Sequence, residues 1–528
     1  MTQYTYDTYG RLTLVQHLRN GVEDLTQRIN YYYDAVPSSI SPPSGCCSNT
    51  EGRLAAVQFP NSNVNASQSL SSVQQLIYMY SYNQAGRVTM QDLRLVAGWG
   101  SPTDVYATYT WDNMGRMTSM NYPVNGPQIA MTYDAMSHLS EETESCTSYT
   151  NQNCPSNSQL PLAGATYNFA GKLATLGTIP ANNGWNQLET RTYDSMLELT
   201  NIYIFGQVSL TYNFSPTQNN GRIVSSVDGV TGENVSYTYD SLNRLIAAST
   251  AGTTGVQWGN SYSYDGFGNL TAKVVTKGTA PSVYPQVNSA TNRASMLYDN
   301  GFDANGNWLG AGGSQMNTWN VENQLISNGS VDGSGNLLTY TYDPWGKRVM
   351  QFSTSAGAAG SGTLYFYSIT GQRLGTYQLV WIAPWTLVMA GPQPMYFGKR
   401  LLTSVDRLGS VRASNSGQSF AYYLWGEERT STPDGTDKFA TYFRDVSTDG
   451  MGEGYANARY YNSNFGRFWS PDPQGVRAAH PRNPRSWNRY VYALDDQVDA
   501  MTQALLRWHM VPKDVVVYYD APYQISPI

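Results

Sequence analysis

The chain has 528 residues, enough for several domains, yet only 13% of them are charged and Tyr (41) outnumbers Lys and Arg together (32). So aromatic a composition excludes a disordered polymer, and a net charge of −6 with no basic cluster excludes a nucleic-acid partner, whose phosphates must be stripped of counterions. Four cysteines and four scattered histidines with no CxxC give no metal-ligand spacing, so neither a metal nor another cofactor is expected.

The N-terminal MTQYTYDTYGRL carries no basic or apolar leader. It opens at once on a phrase that recurs: aromatic, any residue, Tyr or Trp, Asp, two residues, Gly, a base, an aliphatic. Close copies are YTYDTYGRL from Tyr4, YTWDNMGRM from Tyr109, YTYDSLNRL from Tyr237, YSYDGFGNL from Tyr262 and YTYDPWGKRV from Tyr340. Looser ones begin at Tyr80, Thr132, Thr166, Thr192 and Tyr365. A period of roughly 20 to 30 residues is the mark of a stacked array. Aromatics two apart share one face of a strand, and the Asp opens a turn by bonding its own downstream backbone. Three positions on, Gly10, Gly86, Gly115, Gly268 and Gly346 supply a left-handed backbone. Asn243 fills the same slot as the next best residue.

The pattern therefore predicts an all-β fold: a continuous curved antiparallel sheet to about residue 475, with helix confined to a short α/β tail. Pro-, Gly- and Ser-rich stretches around 35–77, 141–162, 274–292 and 351–362 read as loops between hairpins. Cys46 and Cys47 are adjacent in the first; a Cys146–Cys154 bridge is feasible in the second, among three possible pairings. DANGN from Asp303 and DGSGN from Asp332 imitate a calcium loop but lack its later Gly and Glu, so they are read as turns. LVWIAPWTLVMAG from Leu379 is too short to span a bilayer and reads as two buried strands around a turn. From Tyr396 the vocabulary changes. After Leu494, Val498, Met501, Leu505 and Trp508 trace one stripe of a helix that Pro512 ends, and VVVYYD from Val515 reads as a strand.

The YD phrase, together with DRLGSVR (Asp406 to Arg412), ARYYNSNFGRFWSPDP (Ala458 to Pro473) and NRYVYAL (Asn488 to Leu494), resembles the Rhs family of YD-repeat proteins. The resemblance implies a repeat array at 1–395, an Rhs repeat-associated core at 396–495 and a variable or truncated tail at 496–528. It implies that the sheet forms part of a hollow shell: a secreted or surface-displayed container for a polymorphic C-terminal toxin or effector, partnered by that effector segment or a neighbouring shell protein. A rival reading is an adhesion or carbohydrate-binding array with no enzymatic activity, its partner a carbohydrate or cell-surface receptor; another is a degenerate fragment of a longer protein. In the family, self-cleavage is attributed to an aspartyl-protease-like site of one Arg and two Asp. The first two carry over to Arg459 and Asp472. The third belongs to a DPxG word, but here the chain reads DDQVDAMTQALLRWHM, with Asp495, Asp496 and Asp499 nearest the expected place. Two carboxylates must share a proton to act as acid and base, so self-cleavage is expected to be impaired. The stretch from Gln503 to Ile528 is too short to bury an independent effector core.

Overall fold

The computed structural model describes residues 1–61, 73–97, 101–145, 159–178, 187–295, 301–310, 317–331, 337–354, 362–380, 386–391, 393–414, 417–445, 453–475, 479–495 and 498. The predicted tail helix and strand, the Cys146–Cys154 pair and the turn at Asp332 lie outside these residues. Among the described residues the structure is all β, interrupted by single 3-10 turns such as Leu25–Gln27 and Pro484–Trp487. The chain falls into two compact units, one built from Met1–Ala163 and Thr339–Leu402, the other from Gly164–Leu338 and the stretch beginning at Thr403.

In the first unit, successive strands pair antiparallel from Thr2–Tyr6 through Leu12–Arg19, Ile29–Tyr33, Leu54–Pro60 and Val73–Tyr82. The meander continues through Val88–Ala97, Thr103–Trp111, Met117–Asn121, Gln128–Tyr133 and Leu139–Ser145. Tyr78, Tyr80 and Tyr82 stack along one strand face with ring centroids 6.2 and 6.5 Å apart; the period-two aromatics thus line a buried face. The apolar segment after Leu379 supplies two paired strands, Arg373–Val380 and Thr386–Met389. The second is not buried as expected: among the described residues it is the last strand of its sheet, and Val388 is half exposed. Cys46 and Cys47 are bonded to each other, so this disulfide staples no loop.

In the second unit the meander runs from Leu173–Thr178 to Leu270–Gly278, each strand paired with the next. Ile202, Leu210, Ile223, Leu245 and Trp258 are buried along it. The terminal module contributes a small sheet of short strands from Thr436–Asp437 to Arg467–Phe468. Its own core is aromatic: Phe420, Tyr422, Phe439, Tyr442, Tyr461, Phe468 and Tyr492.

The repeated phrase has one geometry throughout. In the copy at Tyr109 the Asp112 N–H donates to the Arg116 carbonyl at 3.0 Å, and the Gly115 N–H donates back to Asp112 at 3.0 Å. The Asp112 carboxylate accepts the Arg116 N–H at 2.9 Å and its guanidinium at 2.8 Å. First the Arg116 N–H and then its guanidinium, against burial, hold the Asp112 carboxyl below its ordinary range. Asp7–Arg11 and Asp240–Arg244 repeat the pair at 2.6 Å. A register shift falls at the Tyr or Trp before each such Asp, as at Tyr6, Trp111 and Tyr239; bulges of this kind bend a hairpin and re-aim its side chains.

That re-aimed ring links one repeat to its predecessor. Tyr133 donates to the Met117 carbonyl at 2.7 Å, Tyr193 to Leu173 at 2.8 Å, Tyr239 to Ile223 at 2.9 Å and Tyr264 to Leu245 at 2.7 Å. Trp111 does the same to Val88 through its indole N–H at 2.8 Å. In each case the acceptor is the aliphatic that ends the preceding phrase. The preceding base lies over the same ring: Arg11 over Tyr33 at 4.5 Å, Arg116 over Tyr133 at 4.7 Å, Arg244 over Tyr264 at 5.1 Å. A cation over a ring contributes about 0.5–1 kcal/mol at such sites, and a net hydrogen bond about 1 kcal/mol. The phrase is an interlock between neighbours.

The turn slot is left-handed in every close copy, from Gly10 (φ 77°) to Gly346 (φ 85°), and at Asn243 (φ 58°). At Gly115 a side chain would also meet the guanidinium of Arg87. Gly115→Val is therefore expected to cost well over about 1 kcal/mol, while Asn243→Gly is nearly neutral. Thermal melts showing equal effects would contradict this. Asp303–Asn307 adopts the same turn, with Gly306 at φ 93°.

Candidate cleavage site in the terminal module

Local turns place each side chain of this site. Arg459 closes a tight bend in which the Ala456 N–H donates to its carbonyl at 2.9 Å and Asn457 takes φ 63°. It then leads into the strand Tyr460–Asn462. Asp472 heads a second turn: its carboxylate accepts the Gln474 N–H at 2.8 Å and its carbonyl the Gly475 N–H at 3.0 Å. Asn488 to Leu494 runs alongside, because the Asp472 N–H donates to the Arg489 carbonyl at 2.8 Å and the Arg489 guanidinium returns a bond to the Asp472 carbonyl at 2.6 Å.

Arg459 and Asp472 meet at 3.1 Å, the Arg buried and the Asp partly open. The Arg459 guanidinium also donates to the Arg489 carbonyl at 3.2 Å and lies 3.7 Å over the Phe468 ring. Burial lowers its proton affinity, and the charge of Asp472 opposes that loss. Among the described residues Asp472 is the one carboxylate in ion-pair reach of Arg459. For Asp495 only the backbone is described, in the turn Ala493–Asp495, and Asp496 and Asp499 lie outside the described residues. One carboxylate beside one fixed cation can hold charge and orient a chain; sharing a proton needs a second acid.

The module is fastened to the sheet of its own unit by buried polar contacts that the motif vocabulary does not announce. Lys273, on strand Leu270–Gly278, pairs with Glu427 and donates to the Asn464 carbonyl at 3.3 Å. Arg429 forks onto Glu233 at 3.0 and 2.7 Å, and Arg412 reaches Asp228 at 2.8 Å. Asn269 stands where other copies of the phrase carry a base; its side-chain oxygen accepts Arg467 at 3.2 Å and Asn488 at 2.8 Å. Asn269 itself takes the base's bond to the turn Asp265 at 2.7 Å, which leaves its side-chain oxygen for the module. Asp406–Ser410 and Ser414–Gln418 repeat the hairpin turn inside the module, with Gly409 and Gly417 left-handed.

A family model of the teneurin YD-shell matches residues 172–375. No curated protein matches the chain. Among solved structures, a crystal structure of TcdB2-TccC3 aligns with TM-score 0.66 at 17% identity over 96% of this chain. The same pair without its hypervariable C-terminal region aligns with TM-score 0.63 at 18% identity over 95%. A Tc holotoxin pore from Photorhabdus luminescens aligns with TM-score 0.62 at 16% identity over 95%. The chain spans 27% of the length of each. These matches, with the interlocked phrase and the antiparallel winding, support a YD-repeat shell fold for the chain, the family model covering residues 172–375.

Proposed function

We propose that this chain is a shell segment that contains or displays a C-terminal effector and does not cut itself. The observation that carries the reading is the fastening of the terminal module onto its sheet through Lys273–Glu427, Arg429–Glu233 and Arg467–Asn269, which no free surface array requires. Arg459 and Asp472 are, in this reading, the retained part of a cleavage site whose second acid has lost the turn that shaped it. They hold the strand word and the DP turn together.

Intact-mass spectrometry before and after brief protease treatment tests both parts. The purified chain is expected at its full 58.4 kDa, with Asp472→Asn equally uncut, and residues beyond 495 are expected to resist a protease that removes them once the protein is unfolded. An Asp472-dependent cut near Asp495 to Asp499 would overturn the impaired-cleavage reading and make one of those aspartates the second acid. Immediate removal of the tail from the native protein would favour an adhesive surface array instead.

A further inference from the structure

A cavity of about 150 Å³ opens beside the DP turn, between that turn and the segment around Asn292. Its walls include Arg293, Asn305, Pro471, Trp487, Arg489 and Tyr490. The chain carries a net charge of −6, and the turn arginines Arg11, Arg116 and Arg244 are committed to carboxylates. Arg293 and Arg489 are not: among the described residues neither forms an ion pair. Arg293 reaches only the Ala304 carbonyl, at a long 3.4 Å, and the Phe302 ring at 5.7 Å, besides bonding the Tyr490 hydroxyl. Arg489 bonds a carbonyl, that of Asp472. The nearby acids are spent. Asp472 faces Arg459 at 3.1 Å, and Asp303 is turned into its own loop by Asn307 at 2.8 and 2.9 Å. A third cation, Arg467, lies over Tyr490 at 5.5 Å. Trp487 remains 49% exposed at the rim.

Two guanidiniums without acids, amide and hydroxyl groups between them and an open indole at the edge form a surface complementary to an anion with a flat or apolar body. We propose that this pocket binds a carboxylate ligand of about one residue's size, its acid between Arg293 and Arg489 and its body against Trp487. The site requires neither cleavage nor cargo, so it stands apart from the container reading. An acidic side chain of a peptide and an acidic sugar offer the same chemistry.

Titration calorimetry on the full chain separates these sources, with N-acetyl-aspartate methylamide and glucuronate as probes and N-acetyl-asparagine methylamide and glucose as neutral counterparts. At least one acid is expected to bind saturably in the millimolar range or tighter, its neutral counterpart at least tenfold weaker, with affinity falling as salt rises. The tighter of the two acids identifies the source. Arg293→Gln is expected to weaken binding at least tenfold and Arg293→Lys less; Trp487→Ala, at a position 49% exposed, weakens it several-fold. Absence of binding by both acids, equal binding of the neutral probes, or unchanged affinity in both Arg293→Gln and Trp487→Ala would overturn the assignment.

Discussion

Replacing Lys273 by Ala is expected to lower stability by about 3–5 kcal/mol, the cost of leaving one member of a buried ion pair alone. Lys273 is 1% exposed and Glu427 7% exposed. Burial pushes the Glu427 carboxyl up and the neighbouring ammonium pulls it partway back, so Glu427 without Lys273 must either keep an unpaired charge or take up a proton. The double variant Lys273→Met with Glu427→Leu removes both charges while keeping much of the volume, and recovers most of the loss. Urea midpoints of the wild type, Lys273→Met, Glu427→Leu and the double variant complete a cycle. A coupling near zero would show that the pair does not hold the module to strand Leu270–Gly278.

A comparable effect, dependent on pH, is expected at Asp92 in the first unit. This residue is fully buried on strand Val88–Ala97, and the nearest cation, Arg94, is already forked onto Asp104 at 2.6 and 2.8 Å. Burial first, and the charge of Asp104 second, push the Asp92 carboxyl up to about 9. Its folded value lies above the unfolded one near 3.8, so the folded chain keeps a proton that the unfolded chain has released. Stability falls as pH rises between those values. Asn cannot titrate. The advantage of Asp92→Asn over wild type is therefore expected to grow with pH, by about 4 kcal/mol from pH 5 to pH 8 at about 1.4 kcal/mol per unit. Denaturant titrations at the two pH values measure it, and a difference independent of pH would show that Asp92 is ionised throughout. Glu142, pushed up to about 8 by burial against one backbone bond from Gly398, adds a slope of the same sign in the wild type and in the variant, and so cancels in the comparison.

The sequence carried the repeat unit far better than its couplings. Strand alternation and the left-handed slot were legible because each follows from one residue's own stereochemistry, as the occupancy of a Gly position by Asn243 shows. The repeat spanning Tyr31 to Leu54 was hidden, because an insertion separates Asp34 from the Gly52–Arg53 pair that closes its turn; the Asp34 N–H still donates to the Arg53 carbonyl at 2.9 Å. The stretch around 35–77, read as a loop, in fact contains the strand Leu54–Pro60 and the start of Val73–Tyr82. The base in the phrase was visible, but its double task was not, since its ring partner lies one repeat away. At the candidate site, motif resemblance named Arg459 and Asp472, and the fold brings them together. Arg293 could not be found that way: it belongs to no motif, and only the pairing of distant segments sets it beside Arg489.

The interlock also has a direction. Each ring bonds backwards, to the carbonyl at the end of the preceding phrase, and each base reaches forwards, to the ring that follows. During synthesis a hairpin such as Tyr237 to Leu245 emerges with its Asp240–Arg244 turn able to close at once. Its outward guanidinium face and its Leu245 carbonyl wait for Tyr264. A repeat of this kind is thus completed by contacts that its successor supplies. At Asn269, where the base is absent, the contacts come instead from Arg467 and Asn488, so this repeat is completed by the terminal module and not by the next hairpin.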